Sequence, residues 1–577
     1  MSRKTPKLVV VLVLAAAGCT SLPANPDTTV TVGVSPETTT TIAPATTTTT
    51  TTRPARDCPP GLSVREESRT WIESLDPMTA SISISQTVFS CADEVVVTSG
   101  SDLGRVAVGA QLAAGLGGPL LVAGDRDLAA LGAELYRLAP RRVTLVGALS
   151  GVVVPAGTEV EVLGGSVEEA AEQIHEMIEA DIRVEIDAAG IEAVARVLRP
   201  TSTGESFWVP ASGSAEACDR DGEAFQAAID RAAAAADAGG GLWLVDACSP
   251  EAALAAAAAA RPTGATVLLV DGRDLRSNRA VVSALPGSPL PEHVVLVGKM
   301  TPNADWQVDS LLSDQELPGG GLTLFPGRRI VALYGNPTTP ALGVLGEQGP
   351  GRAVERAREV AEPYGADGAE ILPAFEIIAT VASASATADG DYSFEMSVEE
   401  LLPWVEIAGR EGLYVTLDLQ PGRTDFLTQA KRYEELLLLP HVGLALDPEW
   451  RLESDQVHLR QIGSVDAIEV NQVVEWLAEL VRENHLPQKL LILHQFKFTM
   501  ITNREMIETP PELAVLVHAD GQGPIHSKYD TYAALTGAPD ADRWWWGWKN
   551  FYDEDSPTPT PEQVLELDPL PVYVSHQ

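Results

Sequence analysis

The sequence predicts an α/β protein in which a duplicated α/β module, residues 59–325, precedes a C-terminal (β/α)8, TIM-like barrel, residues 328–577. Short apolar segments alternate with amphipathic helical patterns through the second region, and this alternation is typical of a parallel sheet. That region has about 250 residues, the usual length of an eight-stranded barrel. The first region contains an internal repeat, which indicates duplicated supersecondary units.

Residues 1–19 have the pattern of an export signal. Basic residues precede the apolar run from Leu8 to Ala17, which is too short to span a bilayer but suits the core of a signal peptide. The segment Ala16-Ala17-Gly18-Cys19 resembles a bacterial lipobox, with Ala in the position where Leu is commoner. This resemblance implies that Cys19 becomes a lipidated amino terminus, which anchors the protein to the outer face of the cell membrane. Simple cleavage and secretion is the alternative.

Residues 20–57 form a Thr/Pro-rich tract with too little apolar surface to fold, and we expect a disordered tether there.

The whole chain has 80 acidic and 40 basic residues and a formal charge of −40. Phosphate repulsion therefore argues against nucleic acid as a partner and against adsorption on anionic lipid. No cofactor is predicted, because Gly117-Gly118 is not part of a dinucleotide-binding fingerprint.

Four cysteines remain after the lipobox cysteine: Cys58, Cys91, Cys218 and Cys248. An even number in an exported chain indicates two disulfides, for which three pairings exist. We favour Cys58–Cys91 with Cys218–Cys248, because each pair falls in one half of the internal repeat. None of the four has the spacing of a metal knuckle.

The two copies of the repeat run from Val95 to Leu149 and from Leu242 to Met300. Each copy reads as strand, helix, strand, a turn containing Asp-Leu, helix, and a strand ending in Val-Gly. The order of an Ala-rich helix, Gly-Pro-Leu-Leu-Val, Asp-Leu and Arg-Val-Thr-Leu-Val-Gly in the first copy resembles the cell wall-binding repeat 2 family of Gram-positive surface proteins.

That resemblance implies Rossmann-like units that bind a cell-wall or envelope polysaccharide. Members of the family have three units in one module, and the stretch from Val160 to Val209 is the candidate for a degenerate third unit here. An α/β module with a structural role alone is the alternative.

Six barrel strands are predicted directly: Arg329 to Asn336, Ile371 to Thr380, Leu413 to Leu419, His441 to Leu446, Leu490 to Phe496 and Leu513 to Asp520. A fifth strand is expected near Ala467 to Asn471 and an eighth near Trp546 to Tyr552. Helices are predicted at Arg352 to Glu362, Val398 to Arg410, Asp425 to Leu439 and Val470 to Asn484.

The barrel prediction is centred on the sequence HVGLALDPEW, residues 441–450, in which a buried strand ends at two carboxylates. Side chains two apart on a strand share a face, so Asp447 and Glu449 are expected to point the same way. The carboxyl ends of parallel strands carry the active site in this fold. We therefore expect one site there, formed by Glu347, Glu376, Asp418, Asp447, Glu449, His494, Gln495, His518, Asp520, Lys549 and Tyr552.

Glycoside hydrolysis fits this set, because it needs a protonated carboxylic acid beside a second carboxylate. Glu449 is the predicted acid, assisted by Asp447 or Asp418, with Glu376 as a further catalytic candidate. At the level of fold, this region looks like a glycoside-hydrolase-like domain of bacterial surface lipoproteins. Trp546, in a Trp-rich segment, is a candidate for stacking on sugar rings, with core packing as the alternative.

Two other functions stay open. His494, His518 and Asp520 offer a ligand set for a metal-assisted hydrolase, although no tight spacing supports it. A barrel with a polar rim also suits an envelope-binding scaffold without catalysis. Serine or cysteine nucleophile chemistry has no support, because the chain has no G-x-S-x-G and no cysteine after Cys248.

Overall fold

The computed structural model describes residues 30–31, 58, 69–124, 128–177, 182–185, 205–208, 218–234, 241–285, 291 and 293–577. The predicted signal peptide, the lipidation of Cys19 and most of the tether lie outside these residues. Two residues of the tether, Val30–Thr31 (β1), pair antiparallel with Val153–Val154 (β6). No helix among the described residues is both long and apolar enough to cross a bilayer.

The first half of the module contains β2 (Arg69–Ile72), α1 (Pro77–Val88), β3 (Glu94–Ser99), α2 (Leu103–Leu116), β4 (Leu120–Ala123), α3 (Ala129–Leu138), β5 (Arg142–Val146), β6, β7 (Glu159–Leu163) and α4 (Val167–Met177). The second half contains β8 (Ile182–Glu185), β9 (Glu205–Trp208), α5 (Glu223–Ala233), β10 (Leu242–Asp246), α6 (Pro250–Ala260), β11 (Thr266–Val270), α7 (Arg279–Ala284), β12 (Val294–Val297) and α8 (Ala304–Leu311).

The predicted duplication is visible as two four-stranded parallel sheets with equivalent strand orders, β4-β3-β5-β7 and β11-β10-β12-β2. Strand β2, from the start of the module, occupies in the second sheet the edge position that β7 occupies in the first. Helices α2 and α6 follow the equivalent strands β3 and β10, and they pack against each other. Because α6 is mostly alanine, its backbone can approach its neighbours closely, and one apolar core spans both halves.

Both predicted disulfides are present. Cys58 and Cys91 are joined with their Cα atoms 5.5 Å apart, and Cys218 and Cys248 have the same Cα separation. Of the stretch from Val160 to Val209, predicted as a third unit, the structure describes residues 160–177, 182–185 and 205–208. These residues contain most of β7, which belongs to the first sheet, together with α4 and the parallel pair of β8 and β9.

The second region is a closed barrel of eight parallel strands, which confirms the predicted fold class. The barrel strands are β13 (Arg328–Gly335), β14 (Glu370–Ala382), β16 (Tyr414–Leu419), β17 (Val442–Leu446), β19 (Lys489–His494), β21 (Leu513–Ala519), β22 (Trp545–Asn550) and β23 (Tyr573–His576). Closure is direct, because β13 pairs with both β14 and β23. Short strands outside the barrel wall are β15 (Ser393–Glu395), β18 (Val465–Asp466) and β20 (Ile501–Thr502).

The helices of the barrel are α9 (Pro350–Ala361), α10 (Val398–Glu411), α11 (Phe426–Ala430), α12 (Glu434–Leu437), α13 (Ala467–Glu483), α14 (Ile525–Thr536) and α15 (Pro561–Leu565). The prediction of a strand near Ala467 to Asn471 was wrong, because α13 begins there and Asp466 caps it by accepting from the Ile468 N–H at 3.0 Å. The predicted eighth strand is the seventh, β22, and β23 at the extreme carboxyl end was missed.

The module closes the amino-terminal end of the barrel. Leu317, Leu324 and Phe325, at the carboxyl-terminal end of the module, pack into the apolar interior of the barrel. Arg276 of the module is fully buried and donates to the Pro511 carbonyl oxygen, just before β21, at 2.7 Å. The carboxyl-terminal end, where polar side chains collect, is therefore the end that stays open.

Candidate active site

A cavity of about 440 Å³ lies at the open end of the barrel. Among the predicted site residues, its walls include Asp447, Glu449, Asp520 and Lys549. These side chains come from positions just after β17, just after β21 and within β22. Residues far apart in sequence meet there because parallel strands all end at the same rim.

The local geometry around Asp447 differs from the prediction. Strand β17 ends at Leu446, and Pro448–Trp450 form one turn of 3-10 helix, with the Trp450 N–H donating to the Asp447 carbonyl oxygen at 3.2 Å. Asp447 and Glu449 are therefore not side chains of a continuing strand, because proline cannot extend the ladder. The helical turn nevertheless brings both carboxyl groups to the cavity.

A buried row of charged groups forms the floor of the site. His494 Nε2 lies 2.8 Å from Glu376 Oε1, and His494 Nδ1 lies 3.1 Å from Asp520 Oδ2. The hydroxyl of Tyr573 donates to Glu376 Oε2 at 2.9 Å. Burial disfavours a charged imidazole, but the carboxylates around it, Glu376 first, raise the pKa of His494 well above its ordinary value. His494 is therefore an imidazolium that donates to two carboxylates.

Asp418 lies in the same floor, fully buried. The Tyr334 hydroxyl donates to Asp418 Oδ2 at 2.8 Å, and His494 Nε2 is 4.0 Å from Asp418 Oδ1. Burial raises the pKa of Asp418 to about 6, although His494 acts in the opposite direction. This carboxyl group gains or loses its proton close to neutral pH.

Both carboxyl groups of the Asp-Pro-Glu turn have a raised pKa, which favours their protonated forms. Burial, followed by repulsion from Glu449, raises the pKa of Asp447 well above its ordinary value. Burial, followed by repulsion from Asp520, raises the pKa of Glu449 to about 7, against the opposing effect of Lys549. Glu449 can therefore hold a proton at neutral pH and can also release it, which is what a general acid must do.

Three lysines line the cavity: Lys497, which is exposed, Lys528 and Lys549. The Lys549 ammonium lies 3.4 Å from the centre of the Tyr334 ring, and its side chain lines the cavity. The Lys528 ammonium donates to Asp555 and, at 2.7 Å, to the carbonyl oxygen of Lys549. Lys528 is thus paired, and Lys549 is the lysine directed at the carboxyl groups.

The remaining predicted site residues do not reach the cavity. The Nε2 atom of His518 is 2.8 Å from Ser575 Oγ inside the barrel, and Gln495 accepts from Arg504 at 2.6 Å. Glu347 is an exposed rim residue paired with Arg356 at 2.5 Å.

Two aromatic candidates also lie outside the cavity. Tyr552 stacks on His576 with ring centres 5.5 Å apart. Trp546 is buried against Tyr532 and donates to the Ala541 carbonyl oxygen at 3.2 Å, so its ring packs in the core and is not offered to a ligand.

Several residues of the site were missed in the sequence, among them Tyr334, Tyr573 and Lys528. Tyr334 lies near the end of a correctly predicted strand, so its position at the rim could have been inferred. Tyr573 belongs to the strand that was missed, and Lys528 lies in α14, where the pattern gives no signal that it reaches the site.

The metal-ligand set proposed as an alternative is not assembled. Both ring nitrogens of His494 already contact carboxylates, and His518 is directed at Ser575. Among the described residues, the acidic group whose ligand atoms lie within 4.8 Å of one another is Asp389, Asp391 and Glu395, in the segment from the end of β14 to the end of β15.

Comparison with known proteins finds no matching family model and no matching curated protein. Nine chains of solved structures match, among them two cell wall proteins of Clostridium difficile. Cwp8 is 15% identical with a TM-score of 0.35, over 43% of this chain and 52% of that one. Cwp6 is 12% identical with a TM-score of 0.34, over 65% of this chain and 66% of that one. The chain thus spans about half of Cwp8 and just under two thirds of Cwp6. Similarity at this level does not indicate a function, which is inferred below from the geometry of the site.

Proposed function

We propose that the protein is a cell-surface lipoprotein whose barrel hydrolyses glycosidic bonds in envelope glycan and whose module binds cell-wall polymer. The observation that carries the hydrolase proposal is Glu449, which lines a cavity of about 440 Å³ and has a pKa raised to about 7. Glycoside hydrolysis requires such an acid together with an ionised carboxylate that acts as nucleophile or base.

Asp520 is the best candidate for that ionised carboxylate. It lines the cavity, and its Oδ2 contacts the imidazolium of His494. Its Oδ1 is buried without a hydrogen-bond partner in the described part of the chain, as are Oδ1 of Asp447 and Oδ1 of Asp418, so a ligand would not have to displace a partner from it.

The other predicted partners of Glu449 fit this role less well. Asp447 is held toward its protonated form, so it is a poor nucleophile or base at neutral pH. Asp418 lies below the cavity and accepts from Tyr334. Glu376 has both oxygens occupied, by His494 and Tyr573, and therefore orients the imidazolium and does not touch a substrate.

In this mechanism Glu449 donates its proton to the glycosidic oxygen as the bond to the leaving sugar breaks. Asp520 either removes a proton from the attacking water or attacks the anomeric carbon directly. In the second case a water that gives its proton to Glu449 then attacks the same carbon and breaks the bond to Asp520. Lys549 and His494 limit the build-up of negative charge among the carboxylates.

Location at the cell surface and attachment through lipid on Cys19 are supported by the signal-peptide pattern, the lipobox-like segment and the two disulfides. Binding of wall polymer by the module is supported by the resemblance of its two units to wall-binding repeats.

The test compares Glu449→Gln with the native chain on a panel of labelled wall polysaccharides. Loss of the acid should reduce kcat by about 10²- to 10⁴-fold, as is usual for a general acid. Glu347→Gln is the matched control, because Glu347 is an exposed rim glutamate outside the cavity, and it should leave kcat unchanged. Equal activity of Glu449→Gln and the native chain, or no cleavage of any glycan by the native chain, would reject the proposal.

A further inference from the structure

A second concavity, of about 490 Å³, adjoins the candidate active site on the open face of the barrel. Phe496, Lys497 and Thr531 line both, and the second continues outward along Phe498, Asp530 and Leu535. We name this second concavity the outer groove. Because three side chains are shared, a ligand in the cavity can extend into the outer groove along one continuous surface.

We propose that the outer groove is a sugar-binding subsite, in which Phe498 stacks on a ring of a linear glycan whose scissile bond lies in the cavity. This inference rests on the proposed hydrolase function and specifies its substrate class as a glycan polymer and not a single sugar or disaccharide. A disaccharide would be held by the cavity alone and would leave the outer groove empty.

The aromatic side chains of the outer groove stand on a well-supported loop. Phe498 begins a turn of 3-10 helix, Phe498–Met500, whose Met500 is fully buried and accepts from the Phe496 N–H at its sulfur, 3.4 Å away. The chain then forms β20, which pairs with β18. The loop is therefore fixed on both sides, so stacking on it costs little ordering entropy.

Phe498 is 50% exposed although its loop is fixed, and the Arg504 guanidinium lies 5.5 Å from its ring centre. A single exposed aromatic residue needs no explanation. Here two aromatic residues, Phe496 and Phe498, line one groove that leads out of a carboxylate-lined cavity. Such a row suits successive sugar rings, which present an apolar C–H face to an aromatic ring.

The polar groups of the outer groove suit sugar hydroxyls. Lys497 extends from the loop, and Asp530 lies on the facing helix α14. Both are exposed, so they can exchange hydrogen bonds to water for hydrogen bonds to the hydroxyl groups of a sugar. A ligand with one apolar face and a hydroxyl-bearing edge matches this arrangement, whereas a purely apolar chain would leave both charges unused.

Binding of glycan strands of defined length tests the inference separately from hydrolysis. Peptide-free strands of two, four, six and eight sugars are prepared from purified peptidoglycan, and their Kd values are measured with the full chain carrying Glu449→Gln. We expect affinity to rise about fivefold to tenfold with length and then to level off, as expected for one additional stacked ring.

Phe498→Ala in the same background should abolish this gain and leave the affinity for two sugars unchanged, and Phe498→Tyr should restore it. Phe394→Ala is the matched control: Phe394 is 58% exposed in the short strand β15 and lines neither concavity. An unchanged melting temperature of each variant establishes that it is folded.

The subsite is rejected if no strand binds, if affinity is independent of length, or if Phe498→Ala weakens all lengths equally or no more than Phe394→Ala does. Cleavage by the native chain with no dependence of KM on length would reject the subsite and retain the hydrolase. Length-dependent binding that depends on Phe498, without cleavage by the native chain, would retain the subsite and reject the hydrolase.

Discussion

The two ends of the barrel both bury charged side chains but treat them differently. At the amino-terminal end Arg329 pairs with Asp367 and Arg482 with Glu512, each at 2.7 Å, and Lys489 donates to two carbonyl oxygens at 2.8 Å. At the carboxyl-terminal end several carboxyl groups converge on His494 and Lys549, and negative charge is in excess. The arrangement at the amino-terminal end stabilises the fold. The excess of carboxyl groups at the carboxyl-terminal end raises pKa values toward neutral pH, where these groups can act as acids or bases.

The largest effect is expected from His494→Gln, which removes the cation at the centre of the carboxyl cluster. Without the imidazolium, Glu376, Asp418 and Asp520 are buried together without compensation, and we expect a loss of about 3–5 kcal/mol in the free energy of unfolding. Activity should also be lost. Chemical denaturation measures the first effect, and a variant as stable as the native chain would show that His494 is not the counter-ion we infer.

Asp520→Asn and Glu512→Gln each remove one carboxylate, the first at the carboxyl-terminal end of the barrel and the second at the amino-terminal end. Asp520→Asn removes the proposed nucleophile or base and should lower kcat by about 10²- to 10⁴-fold, with little loss of stability because it relieves charge repulsion. Glu512→Gln weakens a buried pair at the amino-terminal end and should cost about 2 kcal/mol of stability while leaving kcat unchanged. The reverse pattern, with kcat lost in Glu512→Gln and retained in Asp520→Asn, would invert the functional assignment of the two ends.

The two ends should also respond to pH with opposite signs. The folded pKa values of Asp418, about 6, and Glu449, about 7, are raised, so the folded state binds more protons than the unfolded chain. Their contribution to stability is complete below about pH 4 and is lost as the pH rises through about 7. His494, also raised, acts in the same direction.

At the amino-terminal end, burial lowers the pKa of Lys489 to about 7, so stability there should rise between about pH 7 and the ordinary lysine range. Melting temperature measured from pH 4 to 10 checks both limbs. Lys489→Met should flatten the alkaline limb and Asp418→Asn the acidic one. Activity should fall above about pH 7, where Glu449 loses its proton.

Much of the barrel could be predicted from the sequence because buried parallel strands are short apolar runs. The strands containing Tyr334, Asp418 and His494 were found in this way. The segment from Ala467 to Asn471 was misassigned as a strand, whereas the helix predicted from Val470 to Asn484 was correct and begins three residues earlier, at Ala467. Strand β23 was missed because Tyr573–His576 mixes polar and apolar residues at the end of a Pro-rich stretch.

The site could be predicted only as a set of rim residues. Whether a rim residue lines the cavity depends on the direction in which its side chain leaves the barrel wall and on the hydrogen-bond partners near it. The local sequence determines neither of these. Gln495 follows His494 directly and therefore points to the opposite side of the wall, toward Arg504. Asp520 replaces Asp447 as the candidate nucleophile or base because burial raises the pKa of Asp447 and because Asp520 contacts His494. The spacing of the residues in the sequence reveals neither effect.

The smallest effect is expected for the binding of wall polymer by the module. The full chain should be retained on purified cell wall at low salt if its two units bind wall polymer. Because the protein carries a formal charge of −40, like-charge repulsion opposes binding to anionic polymers, and added salt should screen it. We therefore expect retention to increase modestly, by about twofold, between low and physiological salt, and to be greater on walls stripped of anionic polymers. No retention under any of these conditions would reject wall binding by the module, and binding that weakens steeply with salt would instead indicate local basic contacts to phosphate or carboxylate groups.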